Sequence, residues 1–397
     1  MPGHENHLKP HGLYRGAALT LLFASVLATA AATDSLPRAE EEAARISTRS
    51  VASTADRDEV ARAAAEAMAD GKSATEAAED VVSRSGDRWG AVYDKGEYAE
   101  FERALDGKYT GVGLSAKRLA DGRIAASRVQ PGGPAARAGI RAGDILRTID
   151  GRPVGRRPVT EVVALLRGDG AHGATGRAGY ASEGSTVVLG LTRGAREWTE
   201  TLRRASLSTD AVILRTDAQG ALVIKVAAFT KGSGKQIRDA VLEAPRGAGV
   251  LLDLRGNAGG LVTEAVQAAS AFLDGGLVAT YDIRGEQRAL YADPGGDTER
   301  PLVALVDGGT MSAAELVTGA LQDRGRAITV GSPTFGKGSV QMPSRLPDGS
   351  VAELTVGHYR TPAGHKVDDK GITPDLVVDE RAQERARTVL SGLGGGS

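Results

Sequence analysis

The chain of 397 residues contains no cysteine, which excludes disulfides, thiol catalysis and cysteine-ligated zinc. Histidine is scarce too. Of six, His4, His7 and His11 precede an apolar leader, which leaves His172, His358 and His365. Those three form no His-x-x-x-His pair, and the chain has no Gly-x-Ser-x-Gly elbow. Neither a metal nor a cofactor is therefore expected. A Ser-His-Asp triad through His358 or His365 stays open, because triads are defined by geometry and no spacing excludes one. Excess charge of one sign is also missing. Lys and Arg number 49 against 50 Asp and Glu, a formal net charge of −1, which argues against nucleic acid as a partner.

What is present first concerns location. Lys9 and Arg15 precede the apolar run 16–32, which ends in Ala28-Thr-Ala30-Ala-Ala32 and offers A-x-A type cleavage. Residues 1–32 read as an export signal or, uncleaved, as a membrane anchor, since the run is short for a span of ~20 residues. Both readings put the protein outside the cytoplasmic membrane, extracellular or on its outer face. The remaining length implies two or three domains. Residues 36–105 are rich in Ala, Glu and Arg with helical spacing at Val60, Ala64, Met68, Val81 and Val82. Residues 206–380 alternate short apolar strands with helices, and 381–397 read as a C-terminal tail. The expected class is a multidomain α/β protein with a mixed-sheet core.

Two glycine-flanked runs in that core carry chemistry. They are Val306-Asp-Gly-Gly-Thr-Met-Ser-Ala-Ala-Glu315 and Gly331-Ser-Pro-Thr-Phe-Gly-Lys-Gly-Ser-Val-Gln341. A serine becomes a nucleophile when a neighbouring base takes its proton, and lysine can be that base only when its amine is neutral. A free lysine titrates near ~10.4, and burial can lower that by up to ~3–5 units. Alternation in a strand after Lys337 puts Lys337, Ser339 and Gln341 on one face, where Gln341 could orient the amine. Pro347-Asp-Gly349 marks a hairpin beyond it. Taken alone, Ser312 and Glu315 are an N-cap and capping box of an apolar helix. Such a helix start also presents free N–H groups and a positive dipole end, so the Ala313 amide can stabilise an oxyanion. The turn Asn257-Ala-Gly-Gly260 after the strand-like Val250–Leu254 can supply a second donor. Gly331 to Lys337 also mimics the start of a phosphate-binding loop, but Gly338 and a strand pattern follow where that loop needs Ser or Thr and a helix.

Together with Leu252-Asp-Leu-Arg-Gly-Asn-Ala-Gly-Gly260 and Gly371-Ile-Thr-Pro-Asp375, these runs resemble those of the C-terminal processing peptidases, or tail-specific proteases. The resemblance extends from just before residue 100 to Asp375. It implies a Ser-Lys serine endopeptidase with Ser312 as nucleophile, Lys337 as general base, Gln341 positioning the lysine, and Gly259, favoured over Gly260, sharing the oxyanion hole with Ala313. The chain departs from the family at Ala258, where proline is usual, and at Gly86-Asp-Arg-Trp-Gly-Ala-Val-Tyr93, which replaces an aspartate-proline-tyrosine style motif. In the family the N-terminal helical region contributes to dimerisation or to a cap, so a homodimer is one expected assembly.

Residues 108–204 resemble a PDZ domain with an inserted loop at about 168–185. Gly111-Val-Gly-Leu114 is similar to the loop that binds a terminal carboxylate, where glycines let N–H groups converge on an anion. A peptide would add as a strand beside Leu114 and set its side chains against the helix 159–167, whose Val162, Val163 and Leu166 share a face. The resemblance makes Gly111, Val112, Gly113, Leu114, Val162 and Leu166 binders of an unstructured, apolar protein tail. A PDZ scaffold with a protease-like but non-catalytic domain is the alternative.

Overall fold

The computed structural model describes residues 55–155, 157–168, 171–172, 178–179, 181–283 and 286–394. The leader, the first part of the 36–105 segment and much of the 168–185 insertion lie outside the described residues. Two units separate by their internal contacts, one formed by 108–208 and the other by 55–107 together with 209–394.

The second unit begins with α1 (Arg57–Ala69) and α2 (Ala74–Ser85), then β1 (Ala91–Tyr93) and α3 (Lys95–Leu105). Each helix starts where a side chain accepts orphan N–H groups: Asp56 for α1, Ser73 for α2, and Asp94 with Glu97 in a capping box on α3. Val60, Ala64, Ala78, Val81 and Val82 are buried in a cluster with Leu346, Ala352 and Leu354. Met68, placed on that stripe by spacing, is 44% exposed, and Ala67 takes the inward position. The N-terminal helices are thus packed on the protease-like core.

The 108–208 unit contains β2 (Lys108–Gly111), β3 (Leu114–Arg118), β4 (Ile124–Val129), the short α4 (Pro134–Arg137), β5 (Ile145–Ile149), β6 (Arg152–Pro153) and α5 (Val159–Arg167). A two-residue ribbon, β7 (Ala171–His172) and β8 (Ala178–Gly179), interrupts the insertion before β9 (Thr186–Arg193), β10 (Arg196–Arg203) and β11 (Ala205–Ser208). The main sheet runs β10-β9-β5-β4-β3, and β2 pairs with β11. Strand β3 ends its row, so its outer edge has no strand partner among the described residues.

In the core, β12 (Val212–Thr216) and β13 (Leu222–Val226) precede α6 (Ser233–Glu243), β14 (Val250–Asp253) and α7 (Val262–Ser270). Then come β15 (Leu277–Ile283), β16 (Glu286–Tyr291), β17 (Leu302–Val306), α8 (Ala313–Asp323) and β18 (Ile328–Gly331). The chain continues through β19 (Ser339–Arg345), β20 (Val351–Arg360), β21 (Leu376–Val377) and α9 (Ala382–Gly394). One sheet has the order β12-β13-β14-β17-β18-β21, parallel except for β12. The other is antiparallel, β1-β20-β15-β16, with β19 also on β20. Every residue of β14 and β17 is buried, as strands covered on both faces require. Residues 382–394 of the expected 381–397 tail form α9, whose Ala386 and Leu390, four apart on one helix face, are buried on Val223, Leu251 and Leu305, so this part belongs to the core, correcting the tail reading.

Candidate active site

Strands β14 and β17 are parallel neighbours, so the turns leaving their carboxyl ends lie side by side, where open α/β sheets place ligand sites. Three bonds join them. Met311 N–H donates to the Asn257 carbonyl at 2.9 Å, Thr310 Oγ1 to the Leu254 carbonyl at 3.0 Å, and Gly256 N–H to Asp307 Oδ1 at 2.8 Å. Ser312 follows with φ 55° and ψ −120°, a strained setting for a residue with a Cβ and one that recurs at functional sites. It opens α8, which is buried from Ala313 to Leu321.

Glu315 does more than complete a helix start. Its carboxylate is fully buried and accepts four bonds: Oε2 from the N–H groups of Ser312 and Lys337, each at 2.9 Å, and Oε1 from Gly336 N–H at 2.7 Å and Thr334 Oγ1 at 2.5 Å. Burial raises its pKa, with these donors pulling the other way. The Tyr359 hydroxyl makes a second bridge, 2.9 Å from the Ser312 carbonyl and 3.3 Å from that of Lys337. Ser312 and Lys337 are thus held by the same two side chains. The Gly371–Asp375 motif braces the loop: Ile372 N–H donates to Thr334 Oγ1, and Asp375 accepts from Thr329. Gly336 has φ 93°, and a Cβ there would meet backbone of Asp369 and Gly371 at 3.0–3.2 Å, so glycine is required before the lysine.

Lys337 precedes β19 and is half-buried. Desolvation lowers its pKa below the ordinary lysine value, against the pull of Glu353, Asp87 and Glu315. Among the described residues no carboxylate is in ion-pair contact with its amine; instead Nζ lies 4.9 Å from the centre of the Trp89 ring. Trp89 also meets Phe335 edge-on, ring centres 5.7 Å apart. Gln341 lies beside Ser339, as alternation expects: its Nε2 donates to Ser339 Oγ at 2.8 Å and to Thr355 Oγ1 at 3.3 Å, with a register shift in the β19–β20 pairing between Val340 and Gln341. No bond from Gln341 to the Lys337 amine is formed among the described residues.

The oxyanion donors also need revision. Gly259 packs against Ser312 and Ala313, its Cβ position 3.0 Å from Ser312 Cβ and 3.2 Å from Ala313 N. Its N–H, however, is committed to Asn257 Oδ1 at 2.8 Å. Among the described residues, the N–H groups of Gly260 and Ala313 have no acceptor. In the 108–208 unit, Gly113 takes φ 72° in the Gly111–Leu114 loop, but Val112 (2%), Leu114 (9%), Val162 (0%) and Leu166 (3%) are buried in its core. Val162 and Leu166 are therefore the core stripe of α5, and Val159, Val163, Ala164 and Leu165 are its half-buried apolar positions.

Sequence reasoning missed Tyr359, Trp89 and Asp87. Tyr359 alternates with His358 on β20 and faces Ser312, so the His358 side chain points to the other face, where Nδ1 meets Asp368 Oδ2 at 2.6 Å. His365 is 3.6 Å from Asp323 on an exposed turn. Neither histidine forms a triad with Ser312. The phosphate-loop likeness also ends here, because β19 rather than a helix follows Lys337.

A serine on a strained strand-to-helix turn of an α/β core thus shares two backbone anchors with a desolvated lysine. Residues 220–378 match the model of Peptidase family S41, and residues 126–172 that of the PDZ domain. The chain is 34% identical over 315 residues to "Carboxyl-terminal-processing peptidase 2, chloroplastic" of Arabidopsis thaliana, covering 74% of this chain and 58% of that one. It is 30% identical over 309 residues to a "Probable CtpA-like serine protease" of Staphylococcus aureus, covering 76% and 59%. The solved "photosystem II D1 C-terminal processing protease" is 28% identical with a TM-score of 0.50, over 81% of this chain and 86% of that one. Residues 220–378 are thus a peptidase family S41 segment and residues 126–172 a PDZ segment. It spans 58–59% of the length of the two curated relatives.

Proposed function

We propose that this chain is an exported serine endopeptidase that binds unstructured, apolar C-terminal tails through its PDZ domain and cleaves upstream through an acyl-enzyme on Ser312. Lys337, as the neutral amine, takes the Ser312 proton as the hydroxyl attacks the scissile carbonyl, returns it to the leaving amine, and then deprotonates the water that hydrolyses the ester. The Ala313 and Gly260 N–H groups face the developing oxyanion; losing one such donor typically costs ~10²–10³ in rate. Gln341 acts on the lysine through Thr355 rather than by direct contact. The observation that carries this reading is the double tie of Ser312 and Lys337 by Glu315 and Tyr359, which fixes the backbones of both residues to the same two side chains. Strand β3 ends its sheet row beside α5, which supports strand addition by a peptide. The leader supports export, and a homodimer or a membrane-held form is compatible with it.

The test is hydrolysis of an unfolded reporter with an apolar C-terminal tail by wild type, Ser312→Ala and Lys337→Ala, with the same reporter ending in Asp-Asp. Tail-dependent cleavage reduced by at least ~10³-fold in both variants is expected. Full activity in either variant would remove that residue from the chemistry, and equal cleavage of both reporters would remove the tail from recognition.

A further inference from the structure

We propose that Trp89, on the turn after α2, is a positioning residue for Lys337: its ring covers the amine and keeps water off it. The inference rests on Lys337 being the base. Trp89 belongs to none of the buried hydrophobic clusters of the described residues. Its ring is half-buried, and it is surrounded by the Lys337 amine at 4.9 Å, Phe335 at 5.7 Å and the Arg88 guanidinium at 4.7 Å. Its apolar face is turned to the one amine that the proposed chemistry needs dehydrated.

The turn is fastened for this purpose. Asp87 accepts from Trp89 and Gly90 N–H groups with Oδ1 at 3.1 and 2.9 Å, and from β20 through Thr355 N–H at 2.9 Å and Thr355 Oγ1 at 2.7 Å. Thr355 is also the acceptor of the Gln341 amide. A chain of contacts therefore runs from Gln341 through Thr355 and Asp87 to Trp89 and the amine. Arg88 pairs with Asp369 at 3.0 Å, beside the Gly336 turn. The segment that departs from the family pattern thus supplies part of the site.

The charges around the amine come from several elements. Glu353 on β20, Asp87 on the turn and Glu315 on α8 favour the ammonium; Glu353 is itself bonded to Tyr98 of α3. Arg88 lies against the Trp89 ring and the Tyr359 hydroxyl against the Lys337 carbonyl. The ring's own attraction for a cation is worth ~0.5–2 kcal/mol and also favours the ammonium. Dehydration opposes all of these, and burial is the largest influence on the amine. Opening the cover removes the ring's attraction and its dehydration together; under the proposal dehydration outweighs the attraction, so that water returns, the ammonium is stabilised, and the neutral base is lost at moderate pH.

The experiment is kcat/KM against pH for wild type, Trp89→Ala and Trp89→Leu, with Lys337→Ala as reference. Trp89→Ala should move the acid limb to higher pH, so that activity falls about tenfold near neutrality and recovers as pH rises. Trp89→Leu keeps cover without the ring, and its limb should not move upward. An acid limb in Trp89→Ala that superimposes on the wild-type limb overturns the proposal. Activity retained by Lys337→Ala would instead overturn the base assignment, which separates the two failures.

Discussion

Two lysines of the core, Lys225 at the end of β13 and Lys337 before β19, are both desolvated, and burial lowers the pKa of both. Their surroundings differ. Lys225 Nζ sits 3.3 Å from Asp253 Oδ1 and donates to the Arg255 carbonyl, while Arg255 grips the same carboxylate at 2.9 and 2.7 Å. Lys337 has its backbone N–H fixed by Glu315 and its carbonyl by Tyr359, but its amine meets a tryptophan face. Burial sets the direction for both amines; the partner decides which is available. A lysine locked to a carboxylate holds a turn in place, here the strand end that leads to Asn257 and Gly260, whereas one held by its backbone can exchange a proton.

That contrast can be broken or sharpened by substitution. The largest expected effect is at the shared anchor. Glu315→Gln keeps shape but turns an NH₂ toward two of the four buried donors, leaving them without an acceptor at about 1–3 kcal/mol each. A fall in kcat of about 10²-fold with little change in KM is expected in reporter kinetics; an unchanged kcat would mean the tie between Ser312 and Lys337 is not needed. The smaller effect belongs to the locked lysine. Lys225→Met leaves Asp253 paired with Arg255, so stability should drop by only about 1–2 kcal/mol in denaturant unfolding, and kcat should change by less than about threefold. A moved acid limb in that variant would show that Lys225 titrates in the chemistry and would erase the distinction.

Much of the core was legible because its signals are local. Continuous apolar runs gave β14 and β17, and glycines at forced backbone positions gave the turns that carry Ser312 and Lys337. The two positions proposed as catalytic followed from residue chemistry and from resemblance. What was not legible depends on pairing between distant segments. Gln341 was expected to orient the Lys337 amine, but its amide donates to Ser339 and to Thr355 on the neighbouring strand instead. Gly259 looked like a donor until Asn257, two residues earlier, took its N–H. Asp87 bonds Thr355 from 268 positions away, and Trp89 reaches Lys337 from the same distant turn; no periodicity carries that information. In the PDZ domain the helix stripe read as a groove is core, since one helix face cannot be assigned to ligand or core without knowing which sheet residues lie beneath it.

The most direct test is titration of the Lys337 amine, followed by NMR on lysine-¹⁵N-labelled protein with its resonance assigned by its loss in Lys337→Ala. A rate that depends on neutral lysine rises with pH through that group's pKa, so a lowered value brings the rise to lower pH. The account predicts that the Lys337 amine titrates below the ordinary lysine value and that the acid limb of kcat/KM follows the same transition. An amine that stays protonated throughout the pH range in which the enzyme cleaves would contradict it.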